Sequence, residues 1–250
     1  MDYAPNTDEQ LQEMLRTIGV GSFEELISTV PAELHARGLD VPPGLAEAEV
    51  VALGEELAGR NRALTEMASF LGAGCYAHLI PTVVDALSAR GEWLTPYTPY
   101  QAEASQGTLQ AIYEFQTMVC ELFQMDVANA SLYDGASSVA EAALLALRAT
   151  ERSRILISEA VHPHARQALA TYLIGSPATL QEIPTVNGVT DLEALGKALR
   201  DDVACVILQQ PNVFGCLEPM GQAGQLTHCV GGLFIASVFG KIKIHSKRLR

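Results

Sequence analysis

The chain has 250 residues, 48% of them hydrophobic, and a formal charge of −13, with a mean hydropathy of +0.16. That length builds one large domain with a sizeable core, and the acidic balance excludes nucleic acid as a partner. No apolar run reaches the length of a membrane span, the acidic N-terminus lacks a signal-peptide pattern, and the five cysteines form no CxxC pair and no zinc spacing, so the reading is a soluble protein of the reduced cytoplasm.

The first seventy residues read as a helical arm. Thr7 caps a short helix with Asp8 and Glu9 in its first turn, and Gly19 stops it. Ser22-x-x-Glu25 is a capping box for a second helix that Pro31 interrupts. Residues 38–44 form a loop with paired prolines, and residues 46–68 read as helix. Such an arm packs on a larger body or on a partner chain. A glycine-punctuated loop follows at 71–76. Pro81 takes a first-turn position of a helix ending at Arg90. Residues 95–106 are a loop rich in Pro, Tyr and Gln. Residues 106–123 are apolar almost all round, which predicts a buried helix; Cys120 within it and Cys205 further on are expected in the core. Residues 127–132 read as a short extended run that breaks at Tyr133-Asp134-Gly135.

A second long helix opens at Gly135-Ala136-Ser137-Ser138 and runs to about Arg148. After it, strand and helix alternate. Strands are expected at 154–158, 178–183, 203–209 and 233–238, and helices at 164–173, 190–200 and 220–229, with Thr190 and Glu193 as a capping box. The fold class is therefore α/β, a parallel-rich sheet with helices on both faces. Right-handed crossovers place functional residues at the carboxyl ends of the strands. His162 and His164 follow the first of these strands, and Gln209, Gln210 and Asn212 follow the third.

The start at Gly135 has two readings. Small residues at a helix N-terminus let an anion reach unpaired N–H groups, and Ser137 and Ser138 add hydroxyl donors, so a cofactor phosphate fits there. The alternative is that Asp134 is simply an N-cap and the serines fill the first turn. Trp93, Tyr97 and Tyr100 likewise either line a channel or pack an interface, and interface packing is favoured. His78 beside Ile80-Pro81 reads as structural. No His, Asp or Glu cluster has metal spacing, so no metal is expected.

Several longer words narrow this further. Tyr97-Thr98-Pro99-Tyr100-Gln101-Ala102-Glu103, Ser105-Gln106-Gly107, Phe115-Gln116-Thr117-Met118 and Ala128-Asn129-Ala130-Ser131, with Gly72-Ala73-Gly74-Cys75-Tyr76 and His78-Leu79-Ile80-Pro81 upstream, are all present. Together they resemble the P-protein of the glycine cleavage system, glycine dehydrogenase (decarboxylating), and specifically its N-terminal half. Many bacteria make that half as a separate subunit 1. The resemblance runs over roughly residues 5–238.

The resemblance implies a large domain of the aspartate-aminotransferase-like, fold-type-I transferases that depend on pyridoxal phosphate (PLP). It divides the chain into a helical arm (1–70), an incomplete large domain (71–238) and an atypical basic tail (239–250). It implies a cytoplasmic heterotetramer with subunit 2, in which glycine is decarboxylated on PLP and the aminomethyl group passes to the lipoyl arm of the H-protein. Carried onto this chain, Gly135, Ala136, Ser137 and Ser138 take the phosphate-cradle position. His162 is the candidate ring-stacking residue, and Asn212 sits near the cofactor's hydroxyl. Tyr97, Tyr100, Gln101, Glu103, Ser105 and Gln106 are candidates for the interface or the wall of the partner's pocket.

The Schiff-base lysine is absent. Lysines occur only at 197, 241, 243 and 247; Lys197 falls in a surface helix and the others follow no family motif. The family places that lysine in subunit 2, so PLP is expected on the partner and no catalytic residue in this chain. After Val238 the family continues with Asp-Pro, whereas here Phe239-Gly240 leads into KIKIHSKRLR. A frameshift or fragment end is expected there, with a genuine basic tail as the alternative. Two other readings compete: an autonomous PLP enzyme cut before its lysine, and a non-catalytic scaffold. A Rossmann-type binder is disfavoured, since no G-x-G-x-x-G follows a strand.

Overall fold

Val203–Gln209 reads VACVILQ, apolar up to its last residue, which is the pattern of a strand covered on both faces. In the computed structural model this strand, β5, lies at the centre of a five-stranded sheet. The structure describes residues 6–35, 40–64, 66–74, 78–94 and 99–238, and the backbone of 241–245. It divides into two compact units, Met1–Arg62 and Ala63–Arg250.

In the first unit, α1 (Asp8–Ile18) starts with a reciprocal capping box: Gln10 N–H donates to the Thr7 hydroxyl, and Thr7 N–H donates to the Gln10 side chain. Gly19, at φ +90°, ends the helix in the left-handed conformation glycine tolerates best. α2 (Phe23–Leu26) is a single turn. α3 (Glu47–Gly59) stops well short of the expected residue 68. The Asn61 amide donates to the carbonyls of Leu57 and Ala58, a side-chain alternative to the helical ladder that ends the helix there.

In the second unit, α4 (Thr82–Ser88) and α5 (Gln106–Phe123) precede α6 (Gly135–Thr150), the first helix of the core. Then come β1 (Arg154–Ser158), α7 (Pro163–Tyr172), β2 (Thr179–Ile183), the short hairpin β3 (Thr185–Val186) and β4 (Val189–Thr190), and α8 (Leu192–Ala198). After β5 follow α9 (Met220–Cys229), β6 (Leu233–Val238) and β7 (Lys241–His245). The sheet order is β2-β1-β5-β6-β7, parallel except for β7, which runs antiparallel to β6. The hairpin turns at Asn187-Gly188, both at positive φ, as a two-residue hairpin turn requires. α8 starts one residue later than the expected box. Asp191 caps it by accepting from Glu193 and Ala194 N–H, and Thr190 belongs to β4 instead.

The strand period of two sorts the core into two layers. Ile155, Ile157, Cys205, Ile207 and Ile235 face α6 and α7. Leu156, Val206, Leu208, Phe234 and Ala236 face α8 and α9. Fully burying each large aliphatic side chain contributes about 1.5–3 kcal/mol. Burial also pushes the Cys205 thiol far above its ordinary range.

The residues between the arm and α6 behave differently. α5 was expected to be buried, and none of its residues is. Tyr113, Met118 and Leu122 are exposed, and Cys120, expected in the core, is only half-buried. An all-round apolar helix needs cover on every side, and among the described residues α5 receives too little of it. Residues 127–132 join no strand ladder. Among the described residues, no helix is long and apolar enough to cross a membrane.

Candidate functional site

α6 enters β1 through a short turn and packs against the sheet. His162 follows β1 and Asn212 follows β5, so these two stand at the carboxyl ends of adjacent parallel strands. The Gly135–Ser138 turn opens α6.

The helix start is satisfied from within. Ser137 N–H donates to Asp134 Oδ1 at 2.8 Å, and the hydroxyls of Ser137 and Ser138 both donate to the Asp134 carbonyl, at 3.1 and 2.7 Å. The Ser137 N–H bond holds the Asp134 carboxyl below its usual pKa. The first turn is thus capped by a carboxylate of the chain itself.

β1 and β5 end in a knot of polar groups. Gln209 Oε1 accepts from His162 N–H at 2.8 Å, and its amide nitrogen donates to the Pro211 carbonyl across the cis Gln210–Pro211 bond. His162 caps α7: its Nδ1 accepts from His164 N–H at 3.2 Å, and the two rings meet edge to face with centroids 4.9 Å apart. The Asn212 amide donates to the Gly188 carbonyl and to Glu218 Oε1, both at 2.7 Å, while its oxygen accepts from Phe214 and Cys216 N–H at 3.0 Å. Glu218 Oε2 accepts from Thr190 N–H at 2.9 Å, and Thr190 shares a hydrogen with Ser158 at 2.7 Å. Asn212, Glu218, Thr190 and Ser158 are all buried. Full pairing is what makes a polar cluster tolerable there.

In the sequence Thr190 reads only as a helix cap and Glu218 is not marked. The signal was thin, a lone acid in an apolar stretch at Cys216-Leu217-Glu218-Pro219. Glu218 ties the β3–β4 hairpin to the loop after β5, and so fixes Asn212.

A cleft of about 620 Å³ lies beside the α6 start. Phe115, Val119 and Phe123 of α5, residues 125, 127–129 and 131–134, and Ser138, Glu141, Leu145 and Arg148 of α6 line it. The 99–106 segment leads into α5 as a turn: Ala104 and Ser105 N–H donate to the Gln101 carbonyl. Tyr100, Gln101, Glu103 and Gln106 are exposed and Ser105, at the α5 N-cap, is half-buried. Tyr97 lies outside the described residues. Trp93 and His78 are exposed, and no metal-binding group of three or more His, Cys, Asp or Glu occurs among the described residues.

Comparison with known proteins gives this arrangement a context. The family model described as glycine cleavage system P-protein matches residues 1–239. The chain belongs to the glycine cleavage P-protein family. The probable glycine dehydrogenase (decarboxylating) subunit 1 of Desulfitobacterium hafniense is 49% identical over 239 residues, covering 95% of this chain and 54% of that relative. A crystal structure of glycine decarboxylase (P-protein) in inhibitor-bound form is 44% identical, with a TM-score of 0.82 over 94% of this chain and 53% of that one. The chain thus spans about half the length of the P-protein relatives it matches. A sphingosine-1-phosphate lyase of Burkholderia pseudomallei, 15% identical, shares the fold alone, with a TM-score of 0.55 over 82% of this chain and 50% of that one. The chain accordingly has the fold-type-I architecture of the PLP-dependent transferases.

Proposed function

We propose that the chain acts as subunit 1 of a two-subunit glycine dehydrogenase (decarboxylating). With subunit 2 it decarboxylates glycine and delivers the aminomethyl group to the lipoyl arm of the H-protein. The likeness to the solved glycine decarboxylase over 94% of the chain carries this reading. In the same reading residues 1–70 are the arm and 71–238 belong to the transferase-like large domain.

PLP belongs on the partner subunit, because this chain's residues do not fit it. Lys197, the one lysine before residue 241, lies on the surface in an ion pair with Glu193. At the cradle position the Asp134 carboxylate already holds the Ser137 N–H, and both serine hydroxyls turn to the Asp134 carbonyl. A phosphate there would meet a like charge and no free hydroxyl donor. Asn212 is fully engaged within its buried cluster. What this chain supplies is the 95–106 segment, which leads into α5 and reaches the partner. Tyr97, Tyr100, Gln101, Glu103, Ser105 and Gln106 then help to wall the partner's pocket.

Reconstitution tests this directly. Exchange of labelled bicarbonate into glycine is expected when the chain, subunit 2, PLP and lipoylated H-protein are combined, and not when subunit 2 is omitted. Exchange by this chain alone, or a borohydride-reducible adduct mapped to one of its lysines, overturns the assignment.

A further inference from the structure

β6 has the composition of a strand that pairs with copies of itself. Leu233–Val238 reads LFIASV, six residues without a charge, a proline or a glycine, and such a segment recruits further strands wherever its edge is open. One hydrogen bond fixes which way its backbone points. Gln210 N–H donates to the Ser237 carbonyl, so Ser237 turns its backbone groups toward β5, and Leu233 and Ile235 do the same by the period of two. Phe234, Ala236 and Val238 turn theirs to the opposite side.

β7 stands on that side. It runs antiparallel to β6 in an otherwise parallel sheet, with Phe234 opposite His245, Ala236 opposite Lys243 and Val238 opposite Lys241. These three are the hydrogen-bonded pairs of the ladder, because their β6 members are the residues whose N–H and C=O groups face β7. Ile242 and Ile244 lie opposite Ser237 and Ile235, so their own N–H groups point away from the sheet. β7 lies beyond the family match, which ends at residue 239. Its sequence, KIKIH, puts two lysines on the edge strand, the residue type that most discourages addition of another strand. An uncharged edge is thereby replaced by a charged one.

We propose that residues 241–245 are an intramolecular edge guard: β7 occupies the side of β6 on which a second copy of this chain would otherwise add through LFIASV. The test is residue-resolved hydrogen exchange together with sedimentation, on the full chain and two proline variants. In the unsubstituted chain the amides of Phe234, Ala236 and Val238 are expected to exchange about tenfold or more slower than those of Ile242 and Ile244. Lys243→Pro removes the N–H that pairs with Ala236. It is expected to speed exchange at Phe234, Ala236 and Val238 about tenfold or more, to leave β1 and β5 protected, and to make the chain self-associate. Protection at the three β6 amides is then expected to return as concentration rises and a second copy covers them. Ile244→Pro removes an outward N–H, which an edge strand tolerates, and is expected to behave as the unsubstituted chain does.

Equal exchange at Ala236 and Ile244 in the unsubstituted chain removes the ladder and overturns the proposal without recourse to any variant. Lys243→Pro with unchanged exchange, or with open β6 amides and no gain in self-association, overturns the guard. Loss of protection throughout β1 and β5 in Lys243→Pro makes β7 part of the cooperative core instead of a cover, and overturns it as well. Equal behaviour of the two proline variants contradicts the register on which the guard depends.

Discussion

Residues 66–134 and residues 139–236 are both strongly apolar in sequence, and they end in opposite environments. Among the described residues, every buried apolar residue apart from Leu15 lies between Val139 and Ala236. The later region pairs its strands and covers both sheet faces with helices, so its apolar side chains find one another. The earlier region has helices without a sheet to lie on, and its apolar side chains meet solvent. Composition is the same kind of signal in both. What differs is whether the fold of this chain provides the second surface. The cover that the apolar pattern of α5 calls for lies outside the described residues.

The largest expected effect is in the core. Ile207 lies in the central strand, fully buried against the α6–α7 layer. Ile207→Ala removes buried methyl groups and leaves a cavity, which costs about 2–5 kcal/mol. Thermal or urea unfolding of the chain should show a correspondingly large loss against a total stability of about 5–15 kcal/mol. A loss below about 1 kcal/mol would mean that the 139–236 sheet does not hold the second unit together, and the contrast between the two regions would collapse.

Most of this core was legible in the residues. The uninterrupted apolar run at 203–209 and the alternation of strands and helices placed β1, β5, α9 and β6 within about a residue of where they lie, because local pattern and tertiary burial agree there. α5 misled for the opposite reason. Its pattern is that of a buried helix, and periodicity cannot say which chain does the burying. The long third helix was overestimated because a local amide contact at Asn61 competes with the ladder. Part of the candidate site was legible too. The positions of His162 and Asn212 after the adjacent strands β1 and β5 follow from topology. The engagement of the site residues does not: whether Ser137 donates to a ligand or to Asp134, and whether Asn212 is free or tied to Glu218, depends on three-dimensional partners that no spacing encodes.

An intermediate effect is expected in the 95–106 loop, where the apolar region meets chemistry. Tyr100 and Glu103 are exposed in this chain. If they wall the partner's pocket, Glu103→Gln and Tyr100→Phe leave assembly intact and lower turnover. Loss of one hydrogen bond to a charged group costs about 1.5–3 kcal/mol, roughly tenfold or more in rate if the bond forms in the transition state. Turnover unchanged in both variants assigns the loop to interface packing alone.

The smallest expected change in stability is the most discriminating. Tyr113 stands on α5, 69% exposed, in the middle of the helix. Its backbone carbonyl accepts from the Thr117 hydroxyl, a bond that side-chain truncation leaves in place. Alanine is a better helix former than tyrosine by a few tenths of a kcal/mol, and the ring buries little here. Tyr113→Ala should therefore leave the unfolding midpoint of the isolated chain within the scatter of surface substitutions, about ±0.5 kcal/mol, or raise it slightly. The same ring is of the type that anchors interfaces. Against subunit 2, Tyr113→Ala should weaken binding by about tenfold or more, roughly 1.4–2 kcal/mol. The two measurements separate the two regions on a single residue: neutral for folding, costly for assembly. A substitution that destabilises the isolated chain by 2 kcal/mol or more would place Tyr113 in this chain's own core, and one neutral in both would remove α5 from the interface.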